Sequence, residues 1–246
     1  MHVYLIAGAA VWGFAAGLLL VPRAAYRLAV PPEEPWAAAC PAGHPIRGWL
    51  GPSRCPACTQ APPAYDAWYA PTRATALAAA LASGALAYEV GPHPELAVWL
   101  LLVPVGIVLA RVDLVEFRLP DVLTLPALVG TAALLGLAAL LPAHHGSWPR
   151  ALLVALATGA FYLVLHLFNP AGLGLGDVKL APTLGLALGW YGWPAAFLGT
   201  FAALALGALA GLALLLTGRS TRTTPYPFGP FLLLGALTAL LHAART

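Results

Sequence analysis

Charge is what this chain has least of. Asp, Glu, Lys and Arg together make up only 9% of its 246 residues, where a soluble domain carries about 25%. With 61% hydrophobic residues and a mean hydropathy of +0.82, that scarcity excludes an ordinary soluble fold and points to a polytopic membrane protein. The net charge of +3 is too small, and its Lys and Arg are too scattered, for a nucleic-acid partner. There is no low-complexity tail, no internal repeat and no soluble domain. The only hydrophilic stretch of any length is residues 23–73, which is rich in proline and holds all three cysteines.

What the chain has instead is apolar runs close to the ~17–25 residues needed to cross a hydrocarbon core. They fall near 3–22, 74–92, 95–112, 121–141, 149–169, 178–192, 194–217 and 227–243. The expectation is an all-α protein of about eight transmembrane helices with the lipid bilayer as its surroundings. The sixth run is short and the second is rich in alanine, so these two are the weakest. No positive charge precedes the first run, and Arg23 and Arg27 follow it. It therefore reads as an uncleaved anchor with the N-terminus outside rather than a signal peptide. With that orientation, ten of the twelve basic residues lie on the cytoplasmic side and only Arg150 and Arg245 outside, as the positive-inside rule requires. Small residues in "LGTFAALALGALAGLALLL" read as close helix packing. Trp148, Trp190 and Trp193 read as an interfacial aromatic belt.

With nine acidic residues, each can be weighed. Glu33, Glu34, Asp66, Glu89 and Glu95 read as solvated. Asp113, Glu116 and Asp121 in "RVDLVEFRLPDVLTLP" and Asp177 in "GLGLGDVKL" fall on the cytoplasmic side, with Asp113 and Asp177 at the ends of apolar runs. Ionisable groups at membrane depth are costly and mark functional sites. If the third and sixth spans pack together, these two carboxylates face each other. A close pair in a low dielectric resists ionising twice and shares a proton. One member then activates a water while the other donates to a peptide carbonyl, which is aspartic-protease chemistry. Gly172, Gly174 and Gly176 are expected to supply backbone angles closed to other residues and close approach by a substrate strand. Spacing alone leaves a plain loop equally open, with a snorkelling Lys179 and with Asp177 at a helix N-terminus, where a carboxylate is favoured anyway.

"GLGLGDVKL" followed by "LGW" resembles the signature of the type IV prepilin peptidases, the GxGD aspartyl proteases of type IV pilus, type II secretion and competence systems. "VDLVEFRLPDVLTLP" is similar to the segment that carries the family's first catalytic aspartate. "YPFGPFLLLGAL" is similar to its closing Pro-Phe-Gly-Pro segment, and the cysteine loop matches in position. The resemblance implies a catalytic pair of Asp113 and Asp177, because the family's aspartate stands seven residues before the Pro-Asp proline, as Asp113 does before Pro120. Asp121, the competitor, is then expected to cap the fourth span. Glu116 and Arg118 are expected in a solvated turn, Lys179 as an electrostatic or substrate-positioning neighbour, and Gly174 and Gly176 as active-site support. The chain divides into a first transmembrane helix (1–22), a cytoplasmic Cys-containing loop (23–73) and a seven-helix membrane peptidase domain (74–246). The implied partners are prepilins or pseudopilins, and the implied location is the bacterial inner membrane, with cleavage on its cytoplasmic side.

Cys55 and Cys58 form a CxxC, and Cys40 with His44 a Cys-x3-His. Four soft or borderline ligands in two clusters suit a tetrahedral structural zinc, and a cytoplasmic loop disfavours disulfides. Unligated thiols are the alternative. The family pattern is two CxxC pairs, from which "CPAGHP" departs by one residue and one cysteine. His44 then serves as fourth ligand, or the site is three-coordinate or lost. "AAGLLLVPRAAYRL" also departs from the family's corresponding stretch, a region associated in bifunctional members with S-adenosylmethionine-dependent methylation of the new N-terminus. The resemblance therefore carries proteolysis further than methylation.

His144 and His145 read as an exposed external turn and His166 as packed or hydrogen-bonded near Asn169. Pro225, Pro227 and Pro230 with Gly229 are expected to break the chain before the last span and to shape a re-entrant approach to the active site. Two other functional classes fit the same residues. One is a GxGD protease for other membrane substrates. The other is an ion- or proton-coupled transporter using Asp113 and Asp177, which needs a polar path to the outer face; no charge is expected in the outer halves of the spans.

Overall fold

The structure is a computed structural model that describes residues 2–59, 69–170, 172–218 and 226–245. Asp66, Arg219, Arg222 and Pro225 lie outside these residues. Within them the fold is all helical: α1 (His2–Leu19), α2 (Val21–Leu28), α3 (Thr72–Val90), α4 (Glu95–Glu116), α5 (Asp121–Ala138), α6 (Trp148–Phe168), α7 (Leu175–Tyr191), α8 (Trp193–Leu216) and α9 (Gly229–Ala243). Only Leu20 interrupts α1 and α2, so they form one rod, His2–Leu28, and the helical units number eight.

Five units are long and apolar enough to span a bilayer: His2–Leu28, α4, α5, α6 and α8. α9 is apolar but shorter. The alanine-rich α3 and the 17-residue α7 fall below that standard, and they are the two runs that looked weakest in the sequence. The chain is an all-α polytopic membrane protein. Leu81, Leu140, Leu156, Phe197, Phe201 and Leu209 stay exposed on its exterior, as lipid-facing residues should.

Small residues set the pairings. Gly13 and Gly17 of α1 lie against Ala79 and Thr75 of α3, Gly185 and Gly189 of α7 against Ala155 and Ala151 of α6, and Gly199 of α8 against Ala239 of α9. Each of these pairs runs antiparallel with backbones in near contact. The C-terminal ends of α4, α6 and α8 therefore gather with the N-terminal ends of α5, α7 and α9. A buried cluster of Leu109, Leu119, Tyr162, Leu173, Leu180 and Leu232 fills this end.

The expected contact between the third and sixth spans is not how α4 and α7 are arranged. α7 packs chiefly against α6 and α4 against α2 and α3 as well, and the neighbours the two helices share are α5 and α9. At the opposite end, Glu95 is not solvated: it is 0% exposed and its Oε1 accepts the His145 N–H at 3.2 Å. Glu89 is largely covered and pairs with Arg245. Trp190 is 0% exposed and packs against the Gly146 turn, so it belongs to the interior, whereas Trp148 and Trp193 remain exposed. His144 is part-buried, edge-on to the Trp190 ring.

Candidate active site

Two carboxylates are buried at the gathered end. Asp113 occupies the last turn of α4 and is 4% exposed; Asp177 occupies the first turn of α7 and is 6% exposed. α7 starts where it does because Gly174, in extended conformation, is its N-cap and Asp177 stands three residues on. From there the Asp177 Oδ2 accepts the Gly174 N–H at 3.2 Å, the reaching-back half of a capping box. Asp113 is held from the other side of the cleft: its Oδ2 accepts the Gly229 N–H, the first of α9, at 2.8 Å. Asp177 Oδ1, though buried, has no hydrogen-bond partner among the described residues.

Leu119 is the spacer of this arrangement. A methyl group added to Gly176 would lie 3.0 Å from its Cβ, and one added to Gly229 3.3 Å from its Cδ2. The glycines of "GLGLGD" are thus not needed for unusual backbone angles, since none of Gly172, Gly174 and Gly176 has positive φ. Gly176 is needed because Leu119 leaves no room for a side chain. Leu119 is delivered to this position by Phe117, which ends α4 in the left-handed region with φ 53°, a conformation uncommon outside glycine.

Above the pair, the Lys179 ammonium bonds both carboxylate oxygens of Asp121 at 2.7 and 2.8 Å, tying α7 to α5. Asp121 is not a helix cap: Pro120 is the N-cap, and Asp121 is the first helical residue with its side chain given to Lys179. Arg118 is part-buried, not solvated, and its guanidinium reaches the Leu28 carbonyl at 3.5 Å. Glu116 is half-buried at the end of α4. His166 Nδ1 bonds the Leu173 carbonyl at 2.6 Å, which places it as a brace for the glycine loop.

The second constellation is Cys40, His44, Cys55 and Cys58. Gly43, with φ +82°, lets "CPAGH" reverse tightly, and the Cys40 N–H bonds the His44 carbonyl at 2.8 Å. This turn returns His44 to Cys40. The Cys40 and Cys58 sulfurs are 3.7 Å apart, and His44 Nδ1 lies 3.6, 3.7 and 3.3 Å from the sulfurs of Cys40, Cys55 and Cys58. Zn–S bonds of ~2.3 Å in a tetrahedron put sulfurs ~3.8 Å apart, so the four residues fit a metal site of that size. The backbone N–H of Cys58 holds the Cys55 thiol down to about 7 while desolvation pushes the Cys58 thiol up, so Cys55 is the readier of the two to become the thiolate a metal requires. The loop is fastened to α2. Arg23 donates to the carbonyls of Arg47, Leu50 and Pro52, and Arg27 donates to Gly48 and stacks 4.2 Å over Trp49.

Comparison with known proteins bears on the aspartate pair. The profile of the type IV leader peptidase family matches residues 100–216, which include Asp113 and Asp177. The chain is 34% identical to a prepilin leader peptidase/N-methyltransferase of Aeromonas hydrophila over 206 residues, 80% of this chain and 65% of that protein. With one of Aeromonas salmonicida the match is 35% over 145 residues, 58% of this chain and 48% of that protein. With one of Pseudomonas aeruginosa it is 32% over 247 residues, 92% of this chain and 77% of that protein. This chain belongs to the type IV leader peptidase family. It spans about half to two thirds of the length of the two Aeromonas relatives, and no solved structure matches it.

In this member of the type IV leader peptidase family, the structure brings Asp113, Asp177, Gly174 and Gly176 to one buried place and sets Lys179 and Asp121 beside it. Glu116 sits on the adjoining turn. Sequence reasoning missed Leu119, and it read the Gly229 segment as an approach to the site without its N–H as a donor to Asp113. The signal for Gly229 was its place between Pro227 and Pro230, which marks a helix start whose free N–H groups need an acceptor.

Proposed function

We propose that this chain is a membrane aspartic endopeptidase that removes the basic leader of type IV prepilins or pseudopilins at the cytoplasmic face of the bacterial inner membrane. The observation that carries this is a pair of buried carboxylates on two helices at one end of the bundle, each anchored by a single backbone N–H, with Asp177 Oδ1 left unpartnered. One carboxylate ionised and the other protonated perform the two tasks of amide hydrolysis. The first takes a proton from water as its oxygen bonds to the peptide carbon, while the second donates to the carbonyl oxygen. The C–N bond then breaks as the nitrogen takes up a proton. Gly174 and Gly229 orient the pair, and the acidic Glu116 and Asp121 draw the leader's Lys and Arg to the mouth.

The topology in this proposal has eight crossings with both termini outside, arranged as a first helix (1–22), a Cys-containing loop (23–73) and a seven-helix membrane domain (74–246). The alternating directions of the eight helical units favour it. The Cys/His cluster is assigned a structural zinc held by Cys40, His44, Cys55 and Cys58, and the metal folds the loop without entering the reaction. Methylation with S-adenosylmethionine is left out of the proposal. In the corresponding segment Arg23 and Arg27 are bonded to loop carbonyls.

A transporter reading gains a buried carboxylate, Glu95, at the opposite end. However, Glu95 and Asp113 are eighteen residues apart on α4, about 27 Å, and every residue between them except Arg111 is apolar. α4 therefore offers no polar route between them.

The deciding test is cleavage of a co-expressed prepilin by wild type, Asp113→Asn, Asp177→Asn and Asp121→Asn, read by mass spectrometry. Loss in the first two variants with cleavage retained in the third is expected. Cleavage by either dyad variant at the wild-type rate refutes the assignment, and the product mass reports any added methyl group.

A further inference from the structure

The aspartates lie at one end of the bundle, and the helices that carry them are tied together at the other. α4 runs from Glu95 to the turn that holds Asp113, and α7 from the turn that holds Asp177 to Tyr191. Along their length the two share only neighbours, α5 and α9. At the far end they are joined directly: the buried Trp99 of α4 donates its indole N–H to the Tyr191 hydroxyl of α7 at 3.0 Å.

The 143–148 turn closes over the same place and bonds both helices. Its His145 N–H reaches Glu95 of α4, and its Ser147 N–H reaches the Trp190 carbonyl of α7 at 3.1 Å. Arg150, in the first turn of α6, donates to the Gly189 and Trp190 carbonyls at 3.0 and 2.7 Å, which are acceptors the end of α7 leaves free. The turn is itself locked. The His93 Nδ1–H donates to the Ala143 carbonyl at 2.6 Å, the His93 and His145 rings stack with centroids 3.6 Å apart, and Ala143 is held at φ 65°. A non-glycine residue keeps that conformation only where its surroundings impose it.

We propose that Trp99, Tyr191, Glu95 and the 143–148 turn form a clasp that sets the placement of the two aspartates from the opposite end of the bundle, and that Tyr191 and Glu95 are positioning residues for the hydrolysis. This rests on the proteolytic reading above. The lever is the length of the helices. From the clasp to the pair is about 27 Å along α4 and about 21 Å along α7. A tilt of about 2° at the clasp therefore moves the Asp113 end of α4 by about 1 Å, and a misplacement of about 1 Å at a reacting centre costs up to about 100-fold in rate.

The test uses the full-length enzyme in reconstituted membranes with a prepilin substrate, measuring kcat, KM and Tm, and following hydrogen–deuterium exchange at the Gly174 and Gly229 amides. Tyr191→Phe removes the acceptor of the Trp99 N–H and keeps the ring. Its kcat is expected to fall by about 3- to 10-fold with KM within about twofold of wild type, and both amides are expected to exchange faster although nothing near them has changed. Glu95→Leu is expected to behave likewise. Glu95→Gln, which keeps an acceptor for the His145 N–H, is expected to restore the wild-type kcat. A lower Tm with kcat and both amides unchanged, as when kinks at Pro104 of α4 and Pro182 of α7 absorb the motion, reduces the clasp to a structural element and overturns the proposal. So does a rise in KM alone, or a Glu95→Gln enzyme as slow as Glu95→Leu. Absence of cleavage by wild type removes the proteolytic reading, and exchange at the two amides then decides by itself whether the clasp holds the far ends of the helices.

Discussion

Replacing Gly229 by alanine tests the reasoning about the pair most directly. The new Cβ would stand 2.9 Å from Asp113 Oδ2, 3.3 Å from its Cγ and 3.3 Å from Leu119 Cδ2. The first distance is shorter than real Cβ contacts, so either the start of α9 or the Asp113 carboxylate must move. Movement of the carboxylate costs the 2.8 Å bond from the Gly229 N–H. A hydrogen bond to a charged group contributes ~1.5–3 kcal/mol. If that energy is used in holding Asp113 for reaction, kcat/KM falls by about 10- to 150-fold. Gly174→Ala is the control: its Cβ would meet nothing nearer than Asp177 Oδ2 at 3.5 Å, and the N–H that holds Asp177 is retained. A change in kcat/KM within about threefold is expected, with some loss of stability because alanine is a poorer N-cap than glycine. The assay is prepilin cleavage in reconstituted membranes at varied substrate concentration, with thermal unfolding measured in parallel. Wild-type kcat/KM in Gly229→Ala, at unchanged Tm, would show that this N–H does not hold Asp113 in the working enzyme.

Three further outcomes are expected. Elemental analysis of purified protein should give one zinc per chain, lost in Cys55→Ser/Cys58→Ser and released as pH falls, because protons compete for the thiolates; full zinc in the double variant would refute the site. Gly185→Ala should lower stability by ~1–3 kcal/mol, because its Cβ would fall 2.1 Å from Thr158 Oγ1 and 2.8 Å from Ala155 Cα of α6; an unchanged Tm would contradict the α6–α7 packing. Lys179→Met should cost no more than ~1 kcal/mol, the partners being 40% and 56% exposed, with cleavage retained; abolished cleavage would place Lys179 in the chemistry.

The sequence made some parts of this molecule readable and hid others for definable reasons. Apolar runs mark long helices well, so α4, α5, α6 and α8 were visible. They mark α3 and α7 poorly, since alanine and glycine contribute little hydropathy while permitting the close packing those helices use. α2 went unseen because eight residues, "VPRAAYRL", are too short for periodicity to register, although Pro22 in its first turn and the arginines four apart are helix signals. Asp113 and Asp177 were conspicuous as charges at the ends of apolar runs. Their mutual placement was not, because it depends on Leu119 and on a backbone donor, and neither carries a chemical label. Glu95 was misjudged because its neighbours in sequence are turn residues, while the burial comes from the 143–148 segment folding over it.

That the two aspartates ride on helices whose shared neighbours are α5 and α9 has a consequence for how such a chain changes over generations. Leu119 and the first residue of α9 pack against the seats of the two carboxylates, so a lineage can alter those seats by substitution at either position while both aspartates stay in place. Two relatives with the same aspartate signatures are therefore free to differ in rate and in preferred cut. The variation that explains the difference would be sought in the α4–α5 turn and the approach to α9.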